Sequence, residues 1–490
     1  MRQGDILNVT ITGLNNEGEG VVRVGGEGFV LFVPGALPGE SAEVRLVTKK
    51  KNYGVAKILR RGGDSTARAK PRCPLFGRCG GCQLQHITYE EQLAMKRRTV
   101  EDALRRIGGF TEPPVAACVP SPSVWGYRNK ASLPVQSARG ENLAAGFYKT
   151  RSHDIVPYRG CPVLLPEIDE GLQKITAALR ERGFRGSREN GGRPSGLVRH
   201  VVMREARFTG EKLIAIIATR EPSKKERALA AEAAAEIKGL GGLVWNINAN
   251  PGNFIWGGET VTICGKPVIT EKLGEYSFEF EASSFFQVNS EQALALYRRA
   301  SALASEGGAR EVLELYSGVG SLTAFLAARA SRVTAVESWL PAAKYIKRNL
   351  ARNGMDNVEP RAAQAEDIAE ELASRRFDTV VLDPPRTGCD EKVTEAVLKI
   401  APERVVYVSC NPATLARDAK RLAAGGYKLA QATPFDMFPQ TGHVETVVLL
   451  DREKSTNDIV YGHVYYELKK DDYLRDMKGT ATYCAKSRIG

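Results

Sequence analysis

The sequence predicts a multidomain protein: a small N-terminal β-barrel over residues 1–61, a central α+β domain over 62–281, and a C-terminal α/β domain over 282–450. A tail, 451–490, follows with no assigned role. Three observations carry this prediction. Short β-like runs alternate with glycine turns up to about residue 61, three cysteines crowd into Cys73–Cys82, and from about residue 282 strands and helices alternate.

Length and composition set the frame. A chain of 490 residues is too long for one core, and 43% hydrophobic with 26% charged residues is a globular balance. No apolar run reaches the roughly 18 residues of a membrane span, and MRQGDILNV lacks the basic start and apolar core of a signal peptide. A soluble, cytoplasmic protein without membrane contact is expected. The net charge of +12 suits a polyanionic partner, although many basic proteins never touch nucleic acid. Nine cysteines, an odd number in a reducing compartment, argue against a disulfide framework and leave metal ligation or catalysis as the expectation.

In the first domain, ILNVTITGL, GEGVVRV, GFVLFVPGAL and SAEVRLVTKKKNYGVAKILRR read as strands between turns. Lys49, Lys50, Lys51, Asn52 and Tyr53 fit either an RNA backbone with a stacked base or a solvated hairpin turn. Gly4-Asp5, Gly18-Glu19-Gly20 and Val33 to Glu40 (VPGALPGE) resemble the TRAM domain, an OB-like RNA-binding barrel. That resemblance favours RNA.

Cys73, Cys79 and Cys82 follow in a glycine-rich loop with CxxxxxC and CxxC spacing, which lets three thiols converge on one metal centre. A fourth ligand is needed. Cys161, in Arg159-Gly160-Cys161-Pro162, is the best candidate, because Cys118 and Cys264 lie in more apolar, less loop-like stretches. Four thiolates hold zinc or an iron–sulfur cluster, and one CxxC with two unevenly spaced partners lacks the paired knuckles of a zinc ribbon. Merely buried thiols are the bland reading; three cysteines so close together speak against it.

EEQLAMKRRTVEDALRRIGG (Glu90–Gly109) has helical periodicity and a glycine stop, and this helix is expected to pack on the catalytic domain. Residues 125–281 mix strands (LIAIIAT, GLVWNINA, ETVTIC, YSFEFEA) with an alanine-rich helix near 224–238. Arg128, Asn129 and Lys130 read equally well as RNA-facing or simply exposed.

The C-terminal domain has Rossmann-like grammar. Strand EVLELY (Glu311–Tyr316) runs into the glycine turn Ser317–Ser321, a helix follows, and strand RVTAVE ends in the acidic Glu337. Glycines permit close approach of a ligand, and an acid at the second strand's end accepts hydrogen bonds from a ribose. NAD and S-adenosylmethionine both suit this geometry. The turn ExxSGxGS differs from GxGxxG and no oxidoreductase machinery accompanies it, which favours the methyl donor. DTVVLDPPR then delivers Asp383 on a proline-stiffened loop.

Strand VVYVSCNP (Val405–Pro412) stops at Cys410, on the kind of loop where α/β enzymes carry catalytic groups. HVETVVLL places Glu445 at the start of a last strand. A lone cysteine is usually a buried structural thiol, and a lone glutamate there an exposed strand end. Together at one sheet edge they suit a single reaction. Carbon 5 of uracil attacks a methyl sulfonium only after a thiolate has added at carbon 6, and a base must then remove the carbon 5 proton.

Phe286-Gln287-Val288-Asn289 with Gln292, ELYSGVGSLT, DPPR, SCNPATLARD and HVET resemble, in order, the RNA 5-methyluridine methyltransferase family, which includes tRNA and 23S rRNA enzymes. The resemblance covers residues 1 to about 450. It implies Cys410 as nucleophile, Glu445 as general base, and Gln287, Tyr316, Glu337 and Asp383 as the S-adenosylmethionine pocket. It also implies Cys73, Cys79, Cys82 and Cys161 as ligands of a [4Fe-4S] cluster with a structural or RNA-positioning role. Ser321 stands where some members have Asn. Because tRNA-specific bacterial members typically lack both barrel and cluster, the resemblance implies 23S rRNA as partner, with the target base flipped out and the enzyme a monomer. Phe285 and Phe286 are candidates to pack on that base, or are core. A tRNA enzyme and a non-catalytic ribosome-assembly factor are the alternatives; the latter would lack Cys410 or Glu445. A radical S-adenosylmethionine enzyme would carry CxxxCxxC with one open iron.

Overall fold

A computed structural model describes residues 1–453 apart from 26–27, 139–140, 188–195, 251, 253 and 309. Residues 454–490, nearly all of the expected tail, lie outside the described residues.

The first six strands are β1 (Ile6–Thr10), β2 (Gly13–Leu14), β3 (Gly20–Val24), β4 (Phe29–Val33), β5 (Ser41–Lys49) and β6 (Tyr53–Gly62), hydrogen-bonded in the order β1-β5-β6-β4-β3-β2. Their side chains alternate between core and solvent. In β5, Ala42, Val44 and Leu46 face inward onto Val9, Leu31 and Val33 while Ser41, Arg45 and Val47 face out. The lysine run forms the β5–β6 turn, where Lys50 N donates to Tyr53 O at 2.8 Å. The hairpin-turn reading of this run holds, and the turn also exposes Tyr53. Buried Glu40 pairs with Arg68 and ties this unit to the cysteine-rich loop that follows.

Helix α1 (Tyr89–Arg106) comes next. Its Val100 and Leu104 pack with Leu415 and Ala432 of the C-terminal domain. The central sheet uses β7 (Lys130–Ala138), β8 (Glu141–Tyr148), β9 (Ile155–Pro157), β10 (Val198–Glu205), β11 (Lys212–Ala218), β12 (Leu240–Ile247) and β13 (Glu259–Gly265) in the order β13-β12-β11-β10-β7-β8-β9. Helices α2 (Pro166–Glu181) and α3 (Lys224–Ala235) share a core with it through Leu172, Ile175, Ile216 and Trp245. Strand β10, VRHVVMRE, is buried along nearly its whole length, so it shows no inside–outside alternation in the sequence.

The hairpin β14 (Val268–Leu273) and β15 (Tyr276–Glu281), placed in the central domain by sequence, shares one core with both neighbours. Phe278 and Phe280 lie in a cluster with Val202 and Ile217 on one side and with Leu296 and Phe325 on the other.

After α4 (Ser290–Ser305) the chain winds β16 (Glu311–Leu315), α5 (Ser321–Ala327), β17 (Arg332–Glu337), α6 (Leu340–Arg352), β18 (Val358–Ala362), α7 (Ala365–Leu372), β19 (Thr379–Leu382), α8 (Glu391–Ile400), β20 (Arg404–Ser409), α9 (Pro412–Ala424), β21 (Tyr427–Phe435) and β22 (Glu445–Arg452). The sheet order is β18-β17-β16-β19-β20-β22-β21, parallel through β20, with β22 antiparallel between β20 and β21. The winding reverses at β16, which opens a crevice at the carboxyl ends of the strands. Among the described residues no helix is long and apolar enough to cross a membrane.

Candidate active site

Strand register alone assembles the crevice. Leu315 pairs with Val336 on one side and with Leu382 on the other, so one step further Tyr316, Glu337 and Asp383 form a row. Tyr316 turns the chain with φ +67°, and Gly318 and Gly320 continue the turn at +59° and +85°. These angles suit glycine and strain the tyrosine. Glu337 holds the turn in place, accepting from Gly318 N at 2.8 Å and Trp339 N at 2.7 Å. The Tyr316 hydroxyl donates to Glu366 at 3.4 Å, and Ser321 donates to Tyr297 of α4 at 3.1 Å. Gln287 is buried in the loop before α4, where its carbonyl accepts from Asn129 Nδ2 at 3.1 Å. No register ties it to the row of three.

Beneath the turn lies a residue that sequence reasoning passed over. Glu314 is 1% exposed, and its Oε2 has no hydrogen-bond partner. Burial, with Asp383 and Glu337 adding to it, pushes its carboxyl up to about 8, and burial pushes Asp383 up to about 7. The sequence offered only a glutamate inside the apolar run EVLELY, which demands a reason once the strand is known to be parallel and buried on both faces. Glu314, Glu337 and Asp383 have no ion-pair partner among the described residues. The crevice therefore fits a ligand that brings positive charge, as a sulfonium with an ammonium group does.

At the other end of the row, Ser409 pairs with Thr446, so one step further Cys410 stands opposite Glu445. Cys410 lies just outside α9, whose N-cap Asn411 accepts from Ala413 N at 3.1 Å and whose first residue is Pro412. Burial, and then the nearby Glu445, pushes the thiol up to about 11, while Arg386 lowers it. Glu445 is buried; burial and Asp383 push it up to about 8, again opposed by Arg386. Arg386 ends the DPPR motif, and no role for it was read from the sequence. Its carbonyl is fixed by Asn411 Nδ2 at 2.9 Å, which joins the DPPR loop to the loop at Cys410.

Cys410 opens onto a cavity of about 210 Å³, with Arg386, His443 and Thr99 in its wall. Asn16, from the N-terminal barrel, is also in that wall; nothing in the sequence connected it to Cys410. Arg386 and His443 also line a larger cavity of about 610 Å³. Phe285 and Phe286 both line it; Phe285 is 68% exposed, whereas Phe286 is buried and stacked on Phe280. Arg128 and Lys130 line the same cavity, so neither is simply solvated.

Cys73, Cys79, Cys82 and Cys161 all line this larger cavity as free thiols. Cys161 N donates to Asp169 of α2 at 2.7 Å, and Cys73 N to Gln85 at 3.0 Å. Burial, with the neighbouring thiols adding to it, pushes Cys82 up to about 11 and Cys161 up to about 12. Among the described residues no three such side chains converge on a point that could hold a metal ion. Thiolates are donors to zinc and to iron–sulfur centres alike, so the donor type does not separate the two.

The sheet order and the crevice at its reversal define the class: an S-adenosylmethionine-dependent methyltransferase fold behind a small N-terminal barrel. A profile described as tRNA (Uracil-5-)-methyltransferase matches residues 266–453, and the TRAM domain matches residues 2–59. Proteins named as RNA methyltransferases from Bacillus cereus and Gloeobacter violaceus are 38% and 40% identical over 92% of this chain, covering 98% and 97% of their own. The solved Pyrococcus abyssi tRNA (uracil-54, C5)-methyltransferase, in complex with S-adenosyl-L-homocysteine, is 30% identical with a TM-score of 0.71, covering 91% of this chain and all of that one. This chain belongs to the RNA uracil-5-methyltransferase family.

The barrel gives a first expected outcome. No carboxylate pairs with Lys49, Lys50 or Lys51 among the described residues. Replacing all three by alanine should flatten the dependence of log K on log salt by about two, at about 0.7 per lost contact with single-stranded RNA. RNA-binding titrations between roughly 50 and 200 mM salt check this; an unchanged slope would place the RNA elsewhere.

Proposed function

We propose that the protein methylates carbon 5 of a uridine in 23S rRNA through a covalent bond between Cys410 and carbon 6. The observation that carries this reading is the opposition of Cys410 and Glu445 across the β20–β22 register, with Arg386 acting on both. S-adenosylmethionine supplies the electrophilic methyl group, and Gln287, Tyr316, Glu337 and Asp383 form its pocket.

The Cys410 thiolate adds to carbon 6, and the carbon 5–carbon 6 π electrons move onto the carbonyl at carbon 4. Carbon 5 of this enolate then takes the methyl group. Glu445 removes the remaining proton from carbon 5, the double bond re-forms, and the carbon 6–sulfur bond breaks to release the thiolate. Arg386 stabilises the thiolate before addition, and exposed Phe285 stacks on the RNA beside the flipped base. Cys73, Cys79, Cys82 and Cys161 hold a [4Fe-4S] cluster that organises the protein and takes no electrons in this reaction. An enzyme of this kind acts in the cytoplasm, as a monomer.

A second reading, tRNA as substrate, is favoured by the Pyrococcus abyssi enzyme. Its match covers 91% of this chain, and residues 2–59 exceed the uncovered share, so the match reaches into the barrel on which the rRNA choice leans. Incubation with labelled S-adenosylmethionine and either RNA, followed by mass-spectrometric mapping, decides between them. Label in 23S rRNA is expected; label confined to tRNA reverses the substrate, and none in either removes the enzyme reading. Anaerobic purification should give brown protein with about four irons per chain, whereas one zinc per chain would contradict the cluster.

A further inference from the structure

The segment 436–444 joins β21 to β22 and ends at Glu445. Four separate parts of the chain grip it. Met437 O accepts from Asn289 Nδ2 at 3.2 Å, Phe438 O from Lys96 Nζ at 3.1 Å, and Pro439 O from the Tyr127 hydroxyl at 2.9 Å. Gln440 O accepts twice, from Gln83 N at 3.1 Å and Leu84 N at 3.0 Å. Those two amides directly follow Cys82.

Gln440 is held in a conformation its side chain disfavours. Its φ is +71°, it is 4% exposed, and Gln92 clasps it from α1: Gln440 N donates to Gln92 Oε1 at 3.0 Å, and Gln92 Nε2 donates to Gln440 Oε1 at 3.2 Å. Gln92 Nε2 also donates to Leu84 O and Ile87 O at 3.2 and 2.9 Å, so one carboxamide binds both the cysteine loop and the segment before Glu445. Two residues on, the chain passes so close to the barrel that a Cβ on Gly442 would fall 2.0 Å from Asn16 O. A left-handed non-glycine residue persists only where its surroundings over-determine it, and such residues cluster where position matters.

We propose that Gln440 is a positioning residue that couples the cysteine loop to Glu445: an intact loop at Cys79–Leu84 fixes Gln440, and Gln440 fixes the carboxylate that removes the carbon 5 proton. The inference rests on the roles proposed above for Glu445 and for the four cysteines. It gives the cysteine loop a task in the second half of the reaction, after the methyl group has been transferred.

The test compares Gln440→Gly, Cys82→Ser and the double variant with the parent, all as full chains. Gln440→Gly relieves the backbone strain, which protects against simple misfolding; it removes the side-chain bond from Gln92 Nε2 and frees the backbone at 440 to leave the conformation in which its N and O meet Gln92, Gln83 and Leu84. Single-turnover reactions on RNA carrying [5-³H]uridine separate adduct formation from tritium release. Gln440→Gly is expected to form the adduct at the parent rate, to release tritium about 10- to 100-fold more slowly, and to leave KM for RNA unchanged. Cys82→Ser should slow the same step, and the double variant should be no slower than the worse single one. Hydrogen exchange of residues 436–446 should quicken in both single variants, a readout independent of activity. Tritium release at the parent rate in Gln440→Gly, or additive losses in the double variant, would overturn the coupling. Glu445→Gln serves as the control. If it traps adduct while Gln440→Gly does not, the coupling alone fails; if it turns over normally, the base assignment fails, and the coupling with it.

Discussion

Cys410→Ala protein should form no covalent complex with 5-fluorouridine RNA and should release no tritium from [5-³H]uridine RNA, with turnover down by more than about a thousandfold. Both assays depend on the carbon 6–sulfur bond: the complex is that bond itself, and tritium leaves carbon 5 only after it has formed. Fluorine at carbon 5 cannot leave as a cation, so once sulfur has added and the methyl group has transferred, the adduct stays. Burial holds the thiol up to about 11, so the thiolate is costly to make at pH 7. Only Arg386 opposes that cost among the groups acting on Cys410 from nearby side chains, and the phosphates of bound RNA would add to it. The arginine at the end of DPPR therefore acts on the Cys410 thiol as well as on the loop. Because Cys410 is half-buried, its replacement by alanine should move stability by about 1 kcal/mol at most. Adduct formed at the parent rate by this variant would end the covalent reading.

Those parts of the site that sit at strand ends were legible, because glycine and proline punctuate a sequence where strands stop. Ser317–Ser321, Asp383-Pro384-Pro385 and Asn411-Pro412 each mark a turn at the carboxyl edge of the sheet, and a parallel winding places all such turns on one side. The opposition of Cys410 and Glu445 was less accessible. It needs β22 to insert antiparallel between β20 and β21, and periodicity names a strand without naming its neighbours. Glu314 was missed because a charged residue in a short strand reads as solvent-facing until the neighbouring strands are known to cover both faces. Asn16 and Gln440 lie outside what local pattern can reach. Their positions come from the barrel, the cysteine loop and α1 packing on a segment far away in sequence. Strands β7 to β10 and helix α2 had no separate assignment, and in β10 burial on both faces had erased the alternation.

Glu445→Gln should do the opposite of Cys410→Ala: it should accumulate the protein–RNA adduct, because addition and methyl transfer proceed while elimination has lost its base. Burial and Asp383 hold the carboxyl up to about 8, so at pH 7 only about one molecule in ten carries the carboxylate. Elimination in the parent should therefore speed up with pH and level off above about 8, a climb that the glutamine variant lacks. The same shift sets the sign for stability. The folded value lies above the ordinary 4.5, so the folded state binds the proton more tightly, and the contribution of Glu445 to stability is lost as pH rises from about 4.5 to about 8. The loss reaches up to about 5 kcal/mol if nothing relaxes. Glutamine removes that penalty, so the variant should melt above the parent at pH 8 and close to it at pH 4, while failing to turn over. A residue held for its chemistry against the stability of the fold leaves this pattern. Rapid turnover by the variant, or equal melting temperatures at pH 8, would remove Glu445 as the buried base.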